Sequence, residues 1–273
     1  MIDFRGQVVL VTGAGRGLGA AYARLIADRG AVVAVHDAGV GRDGTGADPR
    51  PARSVRDEVT RHGGIASAHM QDLGTRSGCE ELVAEVLDQH GRVDAMVHSA
   101  GIVRYLRIAE TSESEWRRTM AVNVEAAWWL CRAVWPTMIE QGYGRLVLTV
   151  SGYGLTVVPG ADVAAYSVSK GAQFGLMNAL AGEGMGTGIL VNAVSPIAAT
   201  RIFRRQTAPG ELTPESVAPG VAMLASRDCP VTGTVLTAAG GVWGVAARQS
   251  AEEVDLGSEA TPDDLLAWLR AAT

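Results

Sequence analysis

Tyr166 and Lys170 stand four residues apart in Tyr166-Ser-Val-Ser-Lys170, inside a stretch patterned as a helix. That spacing puts a phenol and an ammonium on one helical face. A free phenol has a pKa of about 10 and is a poor acid or base at neutral pH. Bringing it to about 7 takes roughly 4 kcal/mol of preferential phenolate stabilisation, much of which one desolvated ammonium nearby can supply. Taken singly, the pair also reads as an ordinary surface pair. Ser151 closes the apolar run Leu146-Val-Leu-Thr-Val-Ser151, where its hydroxyl can hydrogen-bond a substrate oxygen. Asn123, in Met120-Ala-Val-Asn-Val on a long apolar helix, is a buried amide that needs partners. It reads either as a structural residue or as the anchor of a water that relays protons to Lys170. Phenol, ammonium and hydroxyl together suit general acid–base work on a hydroxyl or carbonyl oxygen.

A second set of residues points to what would accompany that proton transfer. Thr12-Gly13-Ala14-Gly15-Arg16-Gly17-Leu18-Gly19 follows a strand-like run and opens a helical pattern. This order aims backbone N–H groups and a helix dipole at a pyrophosphate. Gly13 allows the turn, Gly17 the close approach of the phosphate, and Gly19 close packing of helix on strand. The spacing differs from the common G-x-G-x-x-G, and a merely structural turn is the alternative. Asp37 ends the second apolar run, 18 residues beyond Gly19. There it can accept hydrogen bonds from ribose hydroxyls, and its charge repels a 2′-phosphate, which favours NAD(H) over NADP(H). Arg16 pulls weakly the other way. Asp72, after the third run, reads as a partner of the adenine edge or as a loop or capping acid. The positive ring of an oxidised nicotinamide would join Lys170 in acidifying Tyr166.

These residues need a frame that brings distant loops together. Seven short apolar runs, at residues 8–11, 31–35, 65–69, 93–97, 146–150, 189–194 and 234–237, are mostly continuous and rich in β-branched residues. Strands covered on both faces read this way. Helix-patterned spacers at 18–29, 77–90, 113–141 and 164–183 separate them. The expectation is an α/β, doubly wound Rossmann fold: a mostly seven-stranded parallel sheet, helices on both faces, one domain over residues 1–245. Residues 39–51 read as a mobile loop, and residues 198–214 as a lid or a surface connection. A tail over 246–273 ends in a short helix at 262–271, opened by Thr261-Pro262-Asp263-Asp264.

Composition narrows the classes further. With 47% hydrophobic and 19% charged residues, the chain is not disordered. A net charge of −5 disfavours nucleic-acid binding through a bulk basic field. Cys79, Cys131 and Cys229 are scattered, with no Cys-x-x-Cys, as in a reducing compartment. No apolar stretch reaches the roughly 18 residues of a bilayer span, and Met1–Gly13 leaves no room for a signal peptide. A cytoplasmic protein without membrane partners is expected. The five histidines form no metal-binding motif, so no metal is expected. No Gly-x-Ser-x-Gly elbow makes Ser151 a hydrolase nucleophile.

The sequence resembles the short-chain dehydrogenase/reductase family from about Val8 to Gly244. The matching pieces are the glycine turn, Asp72-Leu73, His98-Ser-Ala-Gly101, Asn123, Ser151, Tyr166-Ser-Val-Ser-Lys170 and Pro196-Ile-Ala-Ala-Thr200. The resemblance implies a catalytic tetrad of Asn123, Ser151, Tyr166 and Lys170. Tyr166 would be the acid/base, Lys170 would lower its pKa and hold the nicotinamide ribose, Ser151 would orient the carbonyl, and Asn123 would hold a relay water. It also implies coenzyme contacts from Leu18, Leu73, His98, Ala100, Gly101, Pro196, Ile197 and Thr200. In motif detail the chain is similar to the dehydrogenase part of multifunctional β-oxidation proteins, a branch acting on 3-hydroxyacyl thioesters or steroid alcohols. Two departures stand out: His98-Ser99 replaces the usual Asn-Asn, and Pro196-Ile197 the usual Pro-Gly. Tyr153, Leu155, Val157 and Val158 read as an apolar substrate pocket or as loop packing. Trp128, Trp129 and Trp135 read as core or subunit contacts, and the family likeness implies a homodimer or homotetramer. The expected function is NAD(H)-dependent exchange of a hydride with a small ketone or secondary alcohol. A dinucleotide-binding scaffold without turnover is the alternative.

Overall fold

The β-branched runs pair into one sheet. Its strands are β1 (Val8–Thr12), β2 (Val32–His36), β3 (Ile65–His69), β4 (Ala95–His98), β5 (Gly144–Thr149), β6 (Ile189–Ile197), β7 (Val235–Ala239) and β8 (Val242–Val245). The order is β3-β2-β1-β4-β5-β6-β7-β8, and every pairing is parallel except β7 with β8. The expected seven parallel strands are therefore present, with an antiparallel eighth at the edge. Gly240 and Gly241, at φ 55° and 86°, make the two-residue turn into β8, as a tight hairpin requires. The computed structural model describes residues 1–41, 44–201, 208, 210–246 and 262. Residues 202–207 and 209 of the expected lid or surface connection, and 263–271 of the expected terminal helix, lie outside them.

Helices α1 (Gly17–Asp28), α2 (Arg50–Arg61), α3 (Arg76–His90), α4 (Glu113–Met120), α5 (Ala126–Gln141), α6 (Gly152–Leu155), α7 (Ala164–Glu183) and α8 (Ala218–Ala225) complete the frame. Two apolar clusters form, one on each sheet face. One joins α1, α2 and α8 to the sheet through Tyr22, Ile26, Val55 and Val221; the other joins α3, α5 and α7 through Leu82, Leu130, Val134 and Met177. End signals are local. The Thr75 hydroxyl accepts from Gly78 N–H at the start of α3, and Ser112 and Glu115 form a capping box on α4. Among the described residues, no helix is long and apolar enough to cross a membrane.

Three features depart from the sequence reading. Helix α2 begins at Arg50, inside the expected loop, because Pro51 opens it and only Pro51, Ala52, Val55 and Val59 need burial. Strand β8 is an addition. The long helix expected over 113–141 is interrupted by a π turn at Ala121–Glu125. Such a turn fits one extra residue into the ladder and recurs at functional positions; here it carries Asn123, which is fully buried.

Candidate functional site

Strand β1 pairs with both β2 and β4, so the strand order reverses there and a crevice opens at the carboxyl ends. A cleft of about 420 Å³ fills that crevice. The glycine turn, Asp37, Asp72, Leu73, Ser99–Gly101 and Thr200 line it. A Cβ on Gly13 would fall 2.8 Å from Ala100 Cα, and one on Gly19 2.2 Å from the Gly13 carbonyl oxygen. Only glycine leaves this floor open. The N–H groups of Gly17, Leu18 and Gly19 begin α1, with no earlier turn to bond to, and so face the cleft as anion donors. Asp37 is held by N–H donors from Gly15 at 3.0 Å and Gly39 at 2.8 Å. The Asp72 carboxylate accepts from Gly74 N–H at 2.9 Å and from Arg118 at 3.4 Å. Arg16 is exposed at the cleft rim. A phosphate-binding helix start facing an acid at the far strand end fits a dinucleotide.

The residues expected to move protons lie beyond Gly101, whose Cβ position is 3.6 Å from Lys170 Nζ and 3.3 Å from Asn123 Oδ1. Tyr166 and Lys170 share a face of α7, with Nζ 5.6 Å from the phenol ring centroid. The Ser151 hydroxyl lies close enough to the Tyr166 phenol to favour its phenolate. Ser151 also caps α6, accepting from Tyr153 N–H at 3.3 Å. Helix α6 rides close on α7, since a Cβ on Gly154 would lie 2.5 Å from Gly171 N. The Tyr153 ring meets Tyr166 edge-on at 6.3 Å. Leu155 packs into the core, whereas Val157 is 94% exposed.

Lys170 is buried and donates to the Thr149 carbonyl at 2.7 Å and to Gln173 Oε1 at 3.0 Å. Burial pulls its pKa down to about 7. Burial pushes the Tyr166 phenol up to about 12, against the lowering effect of Ser151. The sequence argument anticipated an acidified phenol. Desolvation outweighs the influence of Ser151, and the ammonium does not offset it. The Asn123 side chain is fully engaged: Oδ1 accepts from Ile102 N–H, and Nδ2 donates to the Ile102 carbonyl and to Ser169 Oγ, each at 2.9 Å.

A model of the short chain dehydrogenase family matches residues 7–209. The chain belongs to that family. It is an oxidoreductase of a family that binds nicotinamide dinucleotides. A short-chain type dehydrogenase/reductase of Mycobacterium tuberculosis is 39% identical over 238 residues, 86% of this chain and 82% of that one. The peroxisomal hydratase-dehydrogenase-epimerase of Saccharomyces cerevisiae is 35% identical over 246 residues, 89% of this chain but only 27% of that protein. The likeness to multifunctional β-oxidation proteins thus covers their dehydrogenase part. Among solved structures, a short chain dehydrogenase from Mycobacterium avium aligns with a TM-score of 0.84 at 32% identity, covering 98% of this chain and 94% of that one. A metagenomic short-chain oxidoreductase in complex with NADP aligns at 0.71, with 32% identity, 84% of this chain and 95% of that one.

Most of the expected coenzyme contacts line the cleft; His98, Tyr166, Lys170, Pro196 and Ile197 do not. The His98 side chain is fully buried beneath it, with Nδ1 2.9 Å from Thr12 Oγ1. Burial, and next the Lys170 charge, lower its pKa to about 3, so it is neutral. Strand β4 turns its side chain toward β1. Pro196 and Ile197 are the end of β6, outside the cleft, and Ala199–Arg201 line it instead. The sequence reading gave no role to Thr12, whose hydroxyl accepts from Ala100 N–H at 3.2 Å. It also missed Gln173 and Arg118, which only tertiary contacts single out. Thr12 alone carried a signal, as the residue that opens the glycine motif.

Proposed function

We propose that this protein is an NAD(H)-dependent oxidoreductase that interconverts a secondary alcohol and a ketone, with Tyr166 as general acid/base. The reading is carried by the pairing of Tyr166 with Lys170 on one face of α7, Nζ 5.6 Å from the phenol ring, with Lys170 buried just past Gly101 at the end of the dinucleotide cleft. A bound nicotinamide supplies the hydride acceptor or donor. Ser151 then holds the substrate oxygen. In the oxidative direction the Tyr166 phenolate takes the hydroxyl proton; in the reductive direction the neutral phenol gives one to the carbonyl oxygen. Lys170 favours the phenolate through its charge and donates toward the coenzyme ribose. Asn123 holds the strand-end segment at Ile102 against α7, which keeps Lys170 and Tyr166 in place.

Asp37 is the basis for NAD(H) over NADP(H). Its carboxylate, fixed by two backbone donors, places negative charge where a 2′-phosphate would sit. Arg16 at the rim is exposed and opposes it less strongly than a cation held in the site. The three cysteines are free and buried, which suits a reducing compartment such as the cytoplasm.

The deciding experiment mixes the purified protein with NAD+ and a panel of secondary alcohols, including 3-hydroxyacyl thioesters and steroid alcohols, and follows NADH absorbance. Turnover is expected, and Tyr166→Phe is expected to abolish it while NADH still binds. Equal rates in Tyr166→Phe remove Tyr166 from the mechanism. Tighter binding of NADPH than of NADH overturns the role given to Asp37.

A further inference from the structure

Gln173 fills the space between Lys170 and the π turn. It lies one helical turn beyond Lys170 on α7 and is fully buried. Its Oε1 accepts from Lys170 Nζ at 3.0 Å, and its Nε2 donates to the main-chain carbonyl of Asn123. The neighbours dictate this orientation of the amide. Turned over, it would set an NH₂ group against an ammonium and an oxygen against a carbonyl oxygen.

The surroundings of Lys170 leave few other groups to hold its charge. Tyr166, on the same helix, offers a ring face and a neutral phenol. His98, from β4, is buried and neutral. Strand β5 offers only the Thr149 carbonyl. The π turn presents Asn123, whose side chain is already engaged with Ile102 and Ser169. Among the described residues, no carboxylate is paired with Lys170. Of the three donors on an ammonium, Thr149 and Gln173 take two and leave one for the cleft side.

We infer that Gln173 is a positioning residue of the reaction: anchored on the π-turn carbonyl of Asn123, it accepts from Lys170 and holds that ammonium charged beside Tyr166. This rests on the reading of Tyr166 as the acid/base. A side-chain amide thus links the Asn123 carbonyl to Lys170. An amide holds geometry and polarity and is a poor carrier of protons, so the connection orients Lys170 rather than feeding it.

One feature of the chain makes the test direct. Lys170 is the only lysine in the 273 residues. Protein labelled with [13Cε]lysine therefore gives a single lysine side-chain signal, whose titration reports Lys170 alone. Gln173→Met and Gln173→Leu remove the acceptor at similar size, and Met adapts where Leu disturbs packing. In the coenzyme-free variants the lysine is expected to titrate at least about one pH unit lower than in the wild type, because the charged form has lost an acceptor. In alcohol oxidation, kcat/KM at neutral pH should fall about tenfold, the rise of its pH profile should shift upward, and NADH affinity should change less than about threefold. A merely structural Gln173 would lower the melting temperature and scale activity equally at every pH. An unmoved lysine titration in a folded variant overturns the inference. A wild type without turnover sinks the functional reading instead, and the lysine signal still decides what Gln173 does to Lys170.

Discussion

Burial moves the two central groups of the site in opposite directions, the Tyr166 phenol up to about 12 and the Lys170 ammonium down to about 7. Both shifts disfavour charge. A neutral phenol is the form that donates to a ketone oxygen, whereas oxidation needs the phenolate and gains from the positive ring of an oxidised coenzyme. The lysine shift also makes a stability prediction. Below about pH 7 the folded protein bears the full cost of a buried ammonium, and above about pH 10.5 lysine becomes neutral in the unfolded chain as well. The wild type should therefore gain stability relative to Lys170→Met as pH rises from 7 to 9.5, by up to about 1.4 kcal/mol for each pH unit. Urea midpoints of the two proteins across that range measure the gain, and a constant gap contradicts it. At this scale Tyr166, Lys170 and Ser151 were legible because helical spacing and a strand end are local signals. Gln173 was not, since a glutamine three positions beyond a lysine looks like any polar helix residue until the π turn is in place. Nor was the phenol's shift, because desolvation depends on what packs around the group.

At the scale of elements, the site depends on close contacts that glycine permits. A Cβ on Gly19 would lie 2.2 Å from the Gly13 carbonyl oxygen, so alanine there must displace the turn that carries the anion donors. Gly19→Ala is expected to destabilise the protein by about 1–3 kcal/mol and to weaken NADH binding at least about tenfold, a change of about 1.4 kcal/mol. Gly182, on α7, has nothing within 4 Å of its Cβ position. Gly182→Ala should stabilise by about 0.5–1 kcal/mol and leave binding unchanged. Chemical denaturation and fluorescence titration separate the two outcomes, and equal effects at the two glycines would refute the argument. The β-branched runs announced β1 to β7 because buried strands need little else. Strand β8 escaped notice behind its Gly240-Gly241 turn, and α2 because arginines and acids dominate a helix with only a narrow buried stripe. The π turn was invisible because periodicity averages over a single extra residue.

For the whole molecule, the sheet order that creates the crevice cannot be read from hydropathy alone, since seven apolar runs admit many orders. The right-handed crossovers of parallel sheets restrict the choice, and only the strand pairings fix the order. The outer surface carries a further expectation. Trp128 and Ile139 lie about three turns apart on one side of α5 and are 52% and 45% exposed; Val168 on α7 is 51% exposed. We propose that these faces meet a second copy, in a homodimer or homotetramer. Light scattering should return a mass at least twice the 28.4 kDa of one chain, and Trp128→Glu should lower it. A wild-type mass of one chain would exclude such an assembly.

The solitary lysine has one more consequence. It is 3% exposed within α7, so a protease that cuts only after lysine finds a single scissile bond in the chain, closed off while that helix is folded. Its digestion rate then reads the local opening of α7, with no background from loops or termini.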